Sequence, residues 1–533
     1  MYDNYQEAIF ETDECLSKGI CSISPAFTSI QEVILLYIKE LSFYLLRLKE
    51  YGISNTSIRE TIIYALSNII TNAEYSQEQF HELISKLYDY IFQSKALYEK
   101  YCIEHDIEME VSKSYFKYSK KFDLTDAIRK GEKYFLKKSN SLTHKQKDLY
   151  DIMFFLVKSI TVKITELRRF GNDYDEAYFL LISMLDSIRP NEIADDEIKE
   201  YMLKAIKSYH EIVNEVLDAQ IENYGKISTA EVSFSTEEGK AILVSGSDLK
   251  KLGNVLKATE GKDISVYTHG LDMFMAHSYP KLRSHPNLKG HYGSGMDSTI
   301  IDFATFPGAI LMTKFTIQRI EYLFRGRLFT LDPIAPRGVV KIQEDDYEPL
   351  IKSALDAKGF THATKKPPMK VGFDAKEIEG KINYVFEKIA TGELKNIYIV
   401  GLINYPNIYK QYFDKFFNLL PKDSYVFSLN YQITKKNVFY PNSYYDYSLF
   451  YKIMEEISKR KPISEINMSV FLTKCDKQTI ANLLYMRDAG VRHIYTCKCP
   501  PSFLNPALME TLKESFDIKE ISDPKSDIED TLK

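Results

Sequence analysis

The sequence predicts a mixed α and α/β protein, in which an N-terminal helical bundle domain is followed by two α/β domains with parallel sheets. Residues 28–225 repeat apolar side chains at steps of three and four, the period of a helix that buries one face. Residues 30–185 contain no proline, as long helices require. After residue 230, short apolar runs alternate with helical segments, which predicts parallel strands covered on both faces.

Composition limits the classes of protein to which the chain can belong. It has 533 residues, 44% hydrophobic and 27% charged, so several globular domains are expected. The formal net charge of −5, with no basic face, disfavours nucleic-acid binding. The start MYDNYQEAIFE lacks the features of a secretory signal, and no run of about 18 apolar residues predicts a membrane span. Six cysteines are too few for a disulfide scaffold, so we expect a cytoplasmic protein.

Glycine and proline mark the predicted boundaries of elements. The helical stretches IQEVILLYIKELSFYLLRLKEYG and DLYDIMFFLVKSITVKITELRRFG end at Gly52 and Gly171, where glycine is predicted to terminate a helix. The predicted strands lie in AILVSG, DISVYTHG, GAILMTK, GVVKI, NIYIVGL, SYVFSL, INMSVFLTK and RHIYTCK. The basic stretch FTHATKKPPMKVGFDAKEIEGK is expected to link the two α/β domains. The acidic tail SDPKSDIEDTLK is expected to fray.

Seven stretches carry a resemblance to a known family. They are CLSKGICSISP, SVYTHGLDMFMAHSYPKLRSHPNLKGHYG, FPGAILMTKFTI, GRLFTLDPIAPRGV, NIYIVGL, VFLTKCDKQTIANLLYMRDAGVRHIY and SFLNPALMETLKESFDIKEI. Together they resemble the hybrid cluster protein family (prismane, hydroxylamine reductase), which is related to nickel carbon monoxide dehydrogenases. The resemblance implies a helical domain followed by two Rossmann-like α/β domains. The predicted segments are 1–27 (remnant of a cubane-binding segment), 28–225 (helical), 226–370 and 371–533 (α/β).

The resemblance implies an N-terminal iron–sulfur site, of which half is present. The family pattern is Cys-x2-Cys-x8-Cys-x5-Cys. Its last two positions are Cys15 and Cys21, whereas its first two fall on Asp3 and Gln6. Carboxylate and amide groups replace thiolates poorly around a cubane cluster. Two buried apolar thiols, a labile cluster and a zinc ion all stay open as interpretations.

The resemblance also implies the positions around a hybrid cluster, which the family holds with one His, two Glu and four Cys, one of them a persulfide. The His falls on Ser247, and the first Glu falls on Leu271 or Asp272. The four Cys fall on Thr316, Ile403, Tyr431 and Tyr444 (or its neighbour). The second Glu falls on Asp476, and a nearby functional Lys falls on Gln478. None of the four Cys positions is cysteine, and the His is absent. The bulky residues are expected to fill the cluster's volume, because a void costs about 24 cal/mol per Å³.

These departures predict a hybrid cluster protein-like homologue without the hybrid cluster ligands. We expect a non-redox pseudoenzyme with a binding, structural or assembly role, no catalytic residue and no cofactor. Its partner would be an unknown protein or a second copy of the chain, with no nucleic acid and no membrane. The alternative is a hydroxylamine reductase-type iron–sulfur oxidoreductase acting in nitrosative stress, because the family has that activity.

A new mononuclear metal site is the second alternative. Cys475 and Asp476 follow the run MSVFLT, and Cys497 and Cys499 follow HIYT. If these two strands are parallel neighbours, the three thiols leave the sheet at one carboxyl edge, where they suit zinc. Free thiols in packed loops are the other interpretation. Cys102 is expected to lie in a helical core.

Four histidines lie close together in the sequence, at positions 269, 277, 285 and 291. Their spacings of eight, eight and six residues do not share a helix face, and the sequence has no HExxH motif, so we expect structural roles. We also find no phosphate-binding loop and no Gly-x-Ser-x-Gly nucleophile elbow.

Overall fold

A computed structural model describes most of the chain from residue 25 onward. The described residues are 25–69, 76–112, 114, 116–121, 123–188, 193–293, 299–313, 324–332, 338–343, 346–401, 406–429, 437–440, 447–473, 477–496 and 506–533. They form two compact units: the first contains the described residues up to Val216, and the second contains those from Leu217 onward.

The first unit is built from helices. Those described are α1 (Pro25–Glu50), α2 (Thr56–Asn68), α3 (Gln77–Glu104), α4 (Leu124–Ser141), α5 (His144–Arg169), α6 (Asp175–Ser187) and α7 (Asp195–Tyr224), the last of which continues into the second unit. Helix α1 packs against α3, α4 and α6. Capping boxes begin α3 at Ser76 and α5 at Thr143. Gly52 and Gly171 have φ values of 74° and 88° just beyond α1 and α5, which confirms them as helix terminators.

The first six-stranded sheet of the second unit is entirely parallel. Its strands are β2 (Lys240–Ser245), β3 (Ile264–His269), β4 (Leu288–His291), β5 (Ala309–Met312), β6 (Leu328–Thr330) and β7 (Val340–Lys341). Their order is β4-β3-β2-β5-β6-β7. This is the doubly wound order of a Rossmann-like domain.

The second six-stranded sheet repeats that arrangement. Its strands are β9 (Asn396–Gly401), β10 (Ser424–Ser428), β11 (Val438–Phe439), β12 (Met468–Leu472), β13 (His493–Thr496) and β14 (Ile518–Glu520). The order β11-β10-β9-β12-β13-β14 is again parallel throughout. All residues of β9, β10 and β12 are buried, because helices cover both faces of a doubly wound sheet.

Helices connect the strands of both sheets. They are α8 (Leu249–Ala258), α9 (Leu271–Phe274), α10 (Pro280–Arg283), α11 (Thr299–Thr305), α12 (Glu348–Asp356), α13 (Ala375–Ala390), α14 (Pro406–Leu419), α15 (Tyr447–Ser458), α16 (Lys477–Asp488), α17 (Pro506–Phe516) and α18 (Pro524–Thr531), with 3-10 turns at Met275–Ser278 and Ile463–Glu465.

The stretch expected to be a linker also contains a strand. Within it, β8 (Met369–Val371) pairs antiparallel with β1 (Ala230–Val232), far back in the sequence. Thr364 and Phe360 add isolated bridges to Thr236 and Gly239. The stretch is therefore fixed to the beginning of the first α/β segment by backbone hydrogen bonds.

The acidic tail was expected to fray, and this prediction is wrong. Asp523 caps helix α18 by accepting hydrogen bonds from the backbone N–H groups of Lys525 and Ser526. The carboxylate of Asp527, 4% exposed, accepts from Ser522 N at 2.9 Å, Ser522 Oγ at 2.6 Å and Tyr412 Oη at 2.7 Å. The tail is ordered because its acidic groups have specific donors rather than only water.

The predicted fold class is confirmed: a helical part precedes two parallel α/β sheets. The domain boundaries after residues 27, 225 and 370 stay predictions. In the part of the chain that the structure describes, no helix combines the length and apolar character needed to cross a membrane.

We predict that Asp527→Ala lowers the free energy of unfolding by about 1–3 kcal/mol, because it leaves partly buried donors without an acceptor. Urea unfolding should show this loss. Glu529→Ala, which removes an exposed carboxylate from the same helix, should change stability by less than about 0.5 kcal/mol. Equal effects of the two substitutions would contradict a specific role for Asp527.

Candidate functional site

The strand order of each sheet marks the place where a ligand is expected. The chain leaves β2 toward β3 on one side and later returns to β5 on the other side, and β9, β10 and β12 repeat this pattern. In open α/β sheets, ligands bind outside the carboxyl ends of the strands at such a switch point. The carboxyl edges of the two sheets are therefore the candidate functional site.

Three parts of the predicted site fall on described residues. Ser247 is exposed, two residues beyond β2. Leu271 and Asp272 begin helix α9 just beyond β3, although their side chains lie outside the description. Gln478 is half-buried in the first turn of α16, and its backbone carbonyl accepts a hydrogen bond from Asn482 Nδ2 at 2.8 Å.

The remaining predicted site residues lie outside the described residues. They are Asp3, Gln6, Cys15, Cys21, Thr316, Ile403, Tyr431, Tyr444, Cys475, Asp476, Cys497 and Cys499. In the sequence, Thr316, Ile403, Tyr431, Tyr444 and Asp476 come within five residues of the ends of β5, β9, β10, β11 and β12. The positions inferred from the resemblance therefore follow strands whose carboxyl ends form the two edges.

The first edge contains a chain of three polar side chains. Ser245, the last residue of β2, has its Oγ 2.9 Å from Nδ1 of His269, the last residue of β3. The other ring nitrogen of His269, Nε2, lies 3.2 Å from Oδ2 of Asp302 on α11. Ser245 and His269 are only 6% and 1% exposed. A serine, a histidine and an aspartate thus form one hydrogen-bonded line.

A second polar chain runs through the preceding residue of β3. The Oγ1 atom of Thr268 lies 2.8 Å from His277 Nε2 and 2.8 Å from Nδ1 of His291, the last residue of β4. A hydroxyl group donates a single hydrogen bond, so at least one of these imidazoles must donate to it. Because side chains alternate along a strand, Thr268 and His269 anchor opposite faces of β3.

Burial keeps the second chain uncharged. It lowers the pKa of His277 to about 4. Burial, together with the charges of His269 and His277, lowers the pKa of His291 well below its ordinary value. Neutral imidazoles can exchange donor and acceptor roles with Thr268, and they avoid the cost of burying a cation.

Gly293 provides the room in which Asp302 reaches His269. It has a φ of 84°, and a Cβ atom there would lie 2.3 Å from Asp302 Oδ2 and 3.0 Å from His269 Cδ2. Contacts this short cannot be accommodated without moving the carboxylate. The His269–Asp302 contact therefore depends on a glycine at this position.

A buried ion pair supports the switch point itself. The ammonium group of Lys251, on α8, donates to Thr313 O at 2.5 Å and lies 3.6 Å from Asp332 Oδ1. The side chain of Asp248 caps α8 by accepting from Lys251 N at 3.0 Å. Thr313 N donates to Ser245 O at 2.8 Å, so β2, β5 and α8 are joined where the strand order reverses.

The second sheet has the parallel, neighbouring strands that the proposed cysteine site requires. Strands β12 and β13 are parallel neighbours, and Leu472 pairs with Thr496 at their ends. Cys475 comes three residues after Leu472, and Cys497 directly follows Thr496. Cys102 is buried on α3, as predicted. Within the described ranges, no three His, Cys, Asp or Glu side chains are grouped so that they could hold a metal ion.

A small cavity lies among the described helices of the first unit. A cavity there, lined in part by Glu32, Lys39, Tyr150 and Asp151, measures about 20 Å³. That volume suits a single water molecule. The carboxyl edges of the second unit stay the better candidate.

A model of the Prismane/CO dehydrogenase family matches residues 11–430. The chain belongs to this family. The resemblance seen in the sequence is confirmed, and the matched range includes the first sheet with both of its polar chains.

Members of the Prismane/CO dehydrogenase family with curated names are similar along the chain. A hydroxylamine reductase of Methanocella arvoryzae is 25% identical over 537 residues, covering 97% of each chain. One from Syntrophobacter fumaroxidans is 26% identical over 536 residues with the same coverage. One from Actinobacillus succinogenes is 31% identical over 378 residues, 68% of each chain. A carbon monoxide dehydrogenase structure from Thermococcus sp. AM4 aligns with 99% of this chain and 92% of its own, with a TM-score of 0.45 and 11% identity.

Sequence reasoning missed the two polar chains. It treated the histidines as separate residues, because their spacing fits no helix face. Part of the signal was present, since Ser245 and His269 end strands that the sequence predicts, whereas His291 ends β4, a strand that the sequence analysis missed. Asp302 gave no such signal, because only the folded chain brings α11 against β3.

We predict that His277 makes the protein sensitive to acid. As the pH falls from about 6.5 toward about 4, an unfolded chain binds a proton at this histidine and the native chain does not, so native stability falls. Between about pH 7.5 and about pH 5, His277 alone is expected to lower the free energy of unfolding by about 2 kcal/mol. Urea unfolding of the protein at the two pH values measures the total loss.

His277→Gln should make that loss smaller by about 2 kcal/mol, because glutamine does not titrate. His362→Gln is the matched control, since that ring is exposed, and it should leave the loss unchanged. If the protein and the His277→Gln variant lose the same stability, His277 is not the acid-sensitive group.

Proposed function

We propose that this member of the Prismane/CO dehydrogenase family carries no hybrid cluster and does not reduce hydroxylamine. In this proposal the chain keeps the family fold for a binding or assembly role, as a pseudoenzyme with respect to redox chemistry. The observation that carries the proposal is the set of donor groups at the positions that match the family's cluster ligands.

The donor groups do not fit an iron–sulfur cluster. Such clusters are held by thiolates, with imidazole as an occasional substitute. The matched positions offer the exposed hydroxyl of Ser247 in place of the imidazole, and threonine, isoleucine and two tyrosines in place of the four cysteines. Gln478 stands at the position of the functional Lys. A set without a single thiolate is not expected to hold iron and sulfide.

The histidines of the first edge do not replace the missing ligands. The ring nitrogens of His269 are both engaged, with Ser245 and with Asp302. His277 and His291 each use one nitrogen for Thr268. This network is satisfied by protein groups, which supports a stable fold without a cluster.

The N-terminal segment also lacks a complete set of cluster ligands. Two of its four matched positions are Cys15 and Cys21, and the other two are Asp3 and Gln6. Two thiolates can bind a labile cluster or a zinc ion, so this segment is the place where residual iron is expected if any is found.

We predict less than about one iron per chain after anaerobic purification, because too few thiolates are present. Iron and acid-labile sulfide analysis with a visible absorption spectrum measures this. The protein should also fail to oxidise a reduced viologen dye when hydroxylamine is added.

A purified hydroxylamine reductase of the family, handled in parallel, is the positive control. The double variant Cys15→Ser/Cys21→Ser separates the two possible locations of iron. Iron that disappears in this variant belongs to the N-terminal segment and leaves the proposal intact. About four or more irons per chain that persist in the variant, together with hydroxylamine reduction, would refute it.

A second candidate function is a mononuclear metal site at the second edge. The parallel pairing of β12 with β13 supports it, because Cys475, Cys497 and Cys499 follow these strands in the sequence and Asp476 is next to Cys475. Three thiolates and a carboxylate suit zinc. Such a site would be structural or binding in nature, and it does not conflict with the absence of a hybrid cluster.

If this second candidate is right, the protein takes up about one zinc per chain. Cys475→Ser and Cys497→Ser should each abolish uptake, measured by competition with a chromogenic chelator. The matched control is Cys15→Ser/Cys21→Ser, which removes two thiols from another segment and should leave uptake unchanged. Loss of zinc in the control variant alone would move the site to the N-terminal segment.

A further inference from the structure

We propose that Ser245, His269 and Asp302 form an acyl-transfer site that hydrolyses small carboxylic esters. This activity goes beyond the proposed non-redox role and rests on it, since a cluster held at positions 247 and 271 or 272 would stand beside Gly246 and Gly270. It also rests on the line of hydrogen bonds at the carboxyl edge of the first sheet, together with the glycine and the backbone amide nitrogen that lie next to the serine hydroxyl.

For a neutral imidazole, the hydrogen bonds select one tautomer. An ionised carboxylate only accepts hydrogen bonds, so His269 Nε2 must donate its proton to Asp302 Oδ2 across 3.2 Å. In the neutral ring, Nδ1 then carries the lone pair, which accepts the hydroxyl proton of Ser245 across 2.9 Å. A serine whose proton faces a basic nitrogen, itself held by a carboxylate, is the arrangement of an activated nucleophile.

Gly270 lies beside the serine hydroxyl. It follows His269 with a φ of 86°. A Cβ atom at this glycine would lie 3.8 Å from Ser245 Oγ and 3.9 Å from Gly246 N. Apart from the residues on either side of Gly270, no other described residue has an atom within 4 Å of that point. This point is therefore flanked by the hydroxyl and by a backbone amide nitrogen. In the proposed reaction the hydroxyl attacks the carbonyl carbon, and the Gly246 amide is the group nearest to the hydroxyl that can donate to the carbonyl oxygen.

The position in the fold suits a substrate. Ser245 ends the central strand β2 at the switch point, and the turn after it leads through the exposed Ser247 into α8. The serine is therefore two residues from an exposed position in the chain. Because Ser245 is only 6% exposed, the substrate class is restricted to short acyl groups.

The reaction balances with water as the only co-reactant. The Oγ atom of Ser245 bonds to the ester carbonyl carbon while its proton moves to His269 Nδ1. The carbon–oxygen bond to the leaving group breaks, and the alcohol leaves with that proton. Water then attacks the acyl-serine and passes a proton through His269 to Oγ, which releases the carboxylic acid. Asp302 is a positioning residue in both halves of the reaction.

The test uses the full-length protein and two small probes, methanesulfonyl fluoride and p-nitrophenyl acetate. The sulfonyl fluoride should sulfonylate the Ser245 hydroxyl and release a fluoride ion. Peptide mass spectrometry then locates the labelled residue. Because the label is mapped in the unaltered protein, this result does not depend on any variant folding. Labelling only at Ser247 or another exposed serine, or no labelling at all, would overturn the proposal.

Variants then assign the roles, with melting temperatures to confirm that each one folds. His269→Gln should slow both labelling and p-nitrophenol release at least about 100-fold, because it removes the base. Asp302→Asn should slow both and shift the pH profile of release, which a purely structural change would not do. Ser284→Ala and His285→Gln, on the same unit but outside the line, should behave like the unaltered protein. Equal rates in His269→Gln and in these controls would also overturn the proposal.

Discussion

The strands of both six-stranded sheets are parallel, and their central strands are buried on both faces. This burial determines where polar side chains can lie in the second unit. A buried strand interior admits apolar side chains, so reactive groups collect where the strands end. Ser245, Thr268 and His269 occupy such ends on neighbouring strands, and hydrogen bonds from them tie the strands to α11 and to the turn that contains His277.

This first edge is satisfied by the chain's own groups. Each hydroxyl and imidazole in the two polar chains has a protein partner, and burial keeps His277 and His291 neutral. A fold without its cluster needs protein partners for the polar groups at this edge, since buried polar groups without partners are costly. The proposed loss of redox function is therefore compatible with a stable protein.

The sequence predicts the architecture well, because period and boundary signals are local. The glycines at 52 and 171, the runs that became β2, β3, β9 and β12, and the helical character of residues 28–225 are all visible in it. The order of helix α18 was missed, since acidic composition does not reveal that Tyr412 and Ser522 donate to Asp527. The shared strand order of the two sheets was also hidden, because it is topological and leaves no repeat. The contact of Asp302 with His269 depends on packing across 33 residues, and no local pattern encodes it.

The central claim is that the chain keeps the fold of the Prismane/CO dehydrogenase family without its hybrid cluster. A Mössbauer spectrum of protein produced with ⁵⁷Fe and kept under anaerobic conditions tests it most directly, since it identifies the chemical form of every iron atom. We expect no signal from a hybrid cluster, and at most a weak signal that disappears when Cys15 and Cys21 are replaced. Signals of a bridged multinuclear cluster in stoichiometric amount that persist when Cys15 and Cys21 are replaced would contradict the claim and return the chain to the redox members of its family.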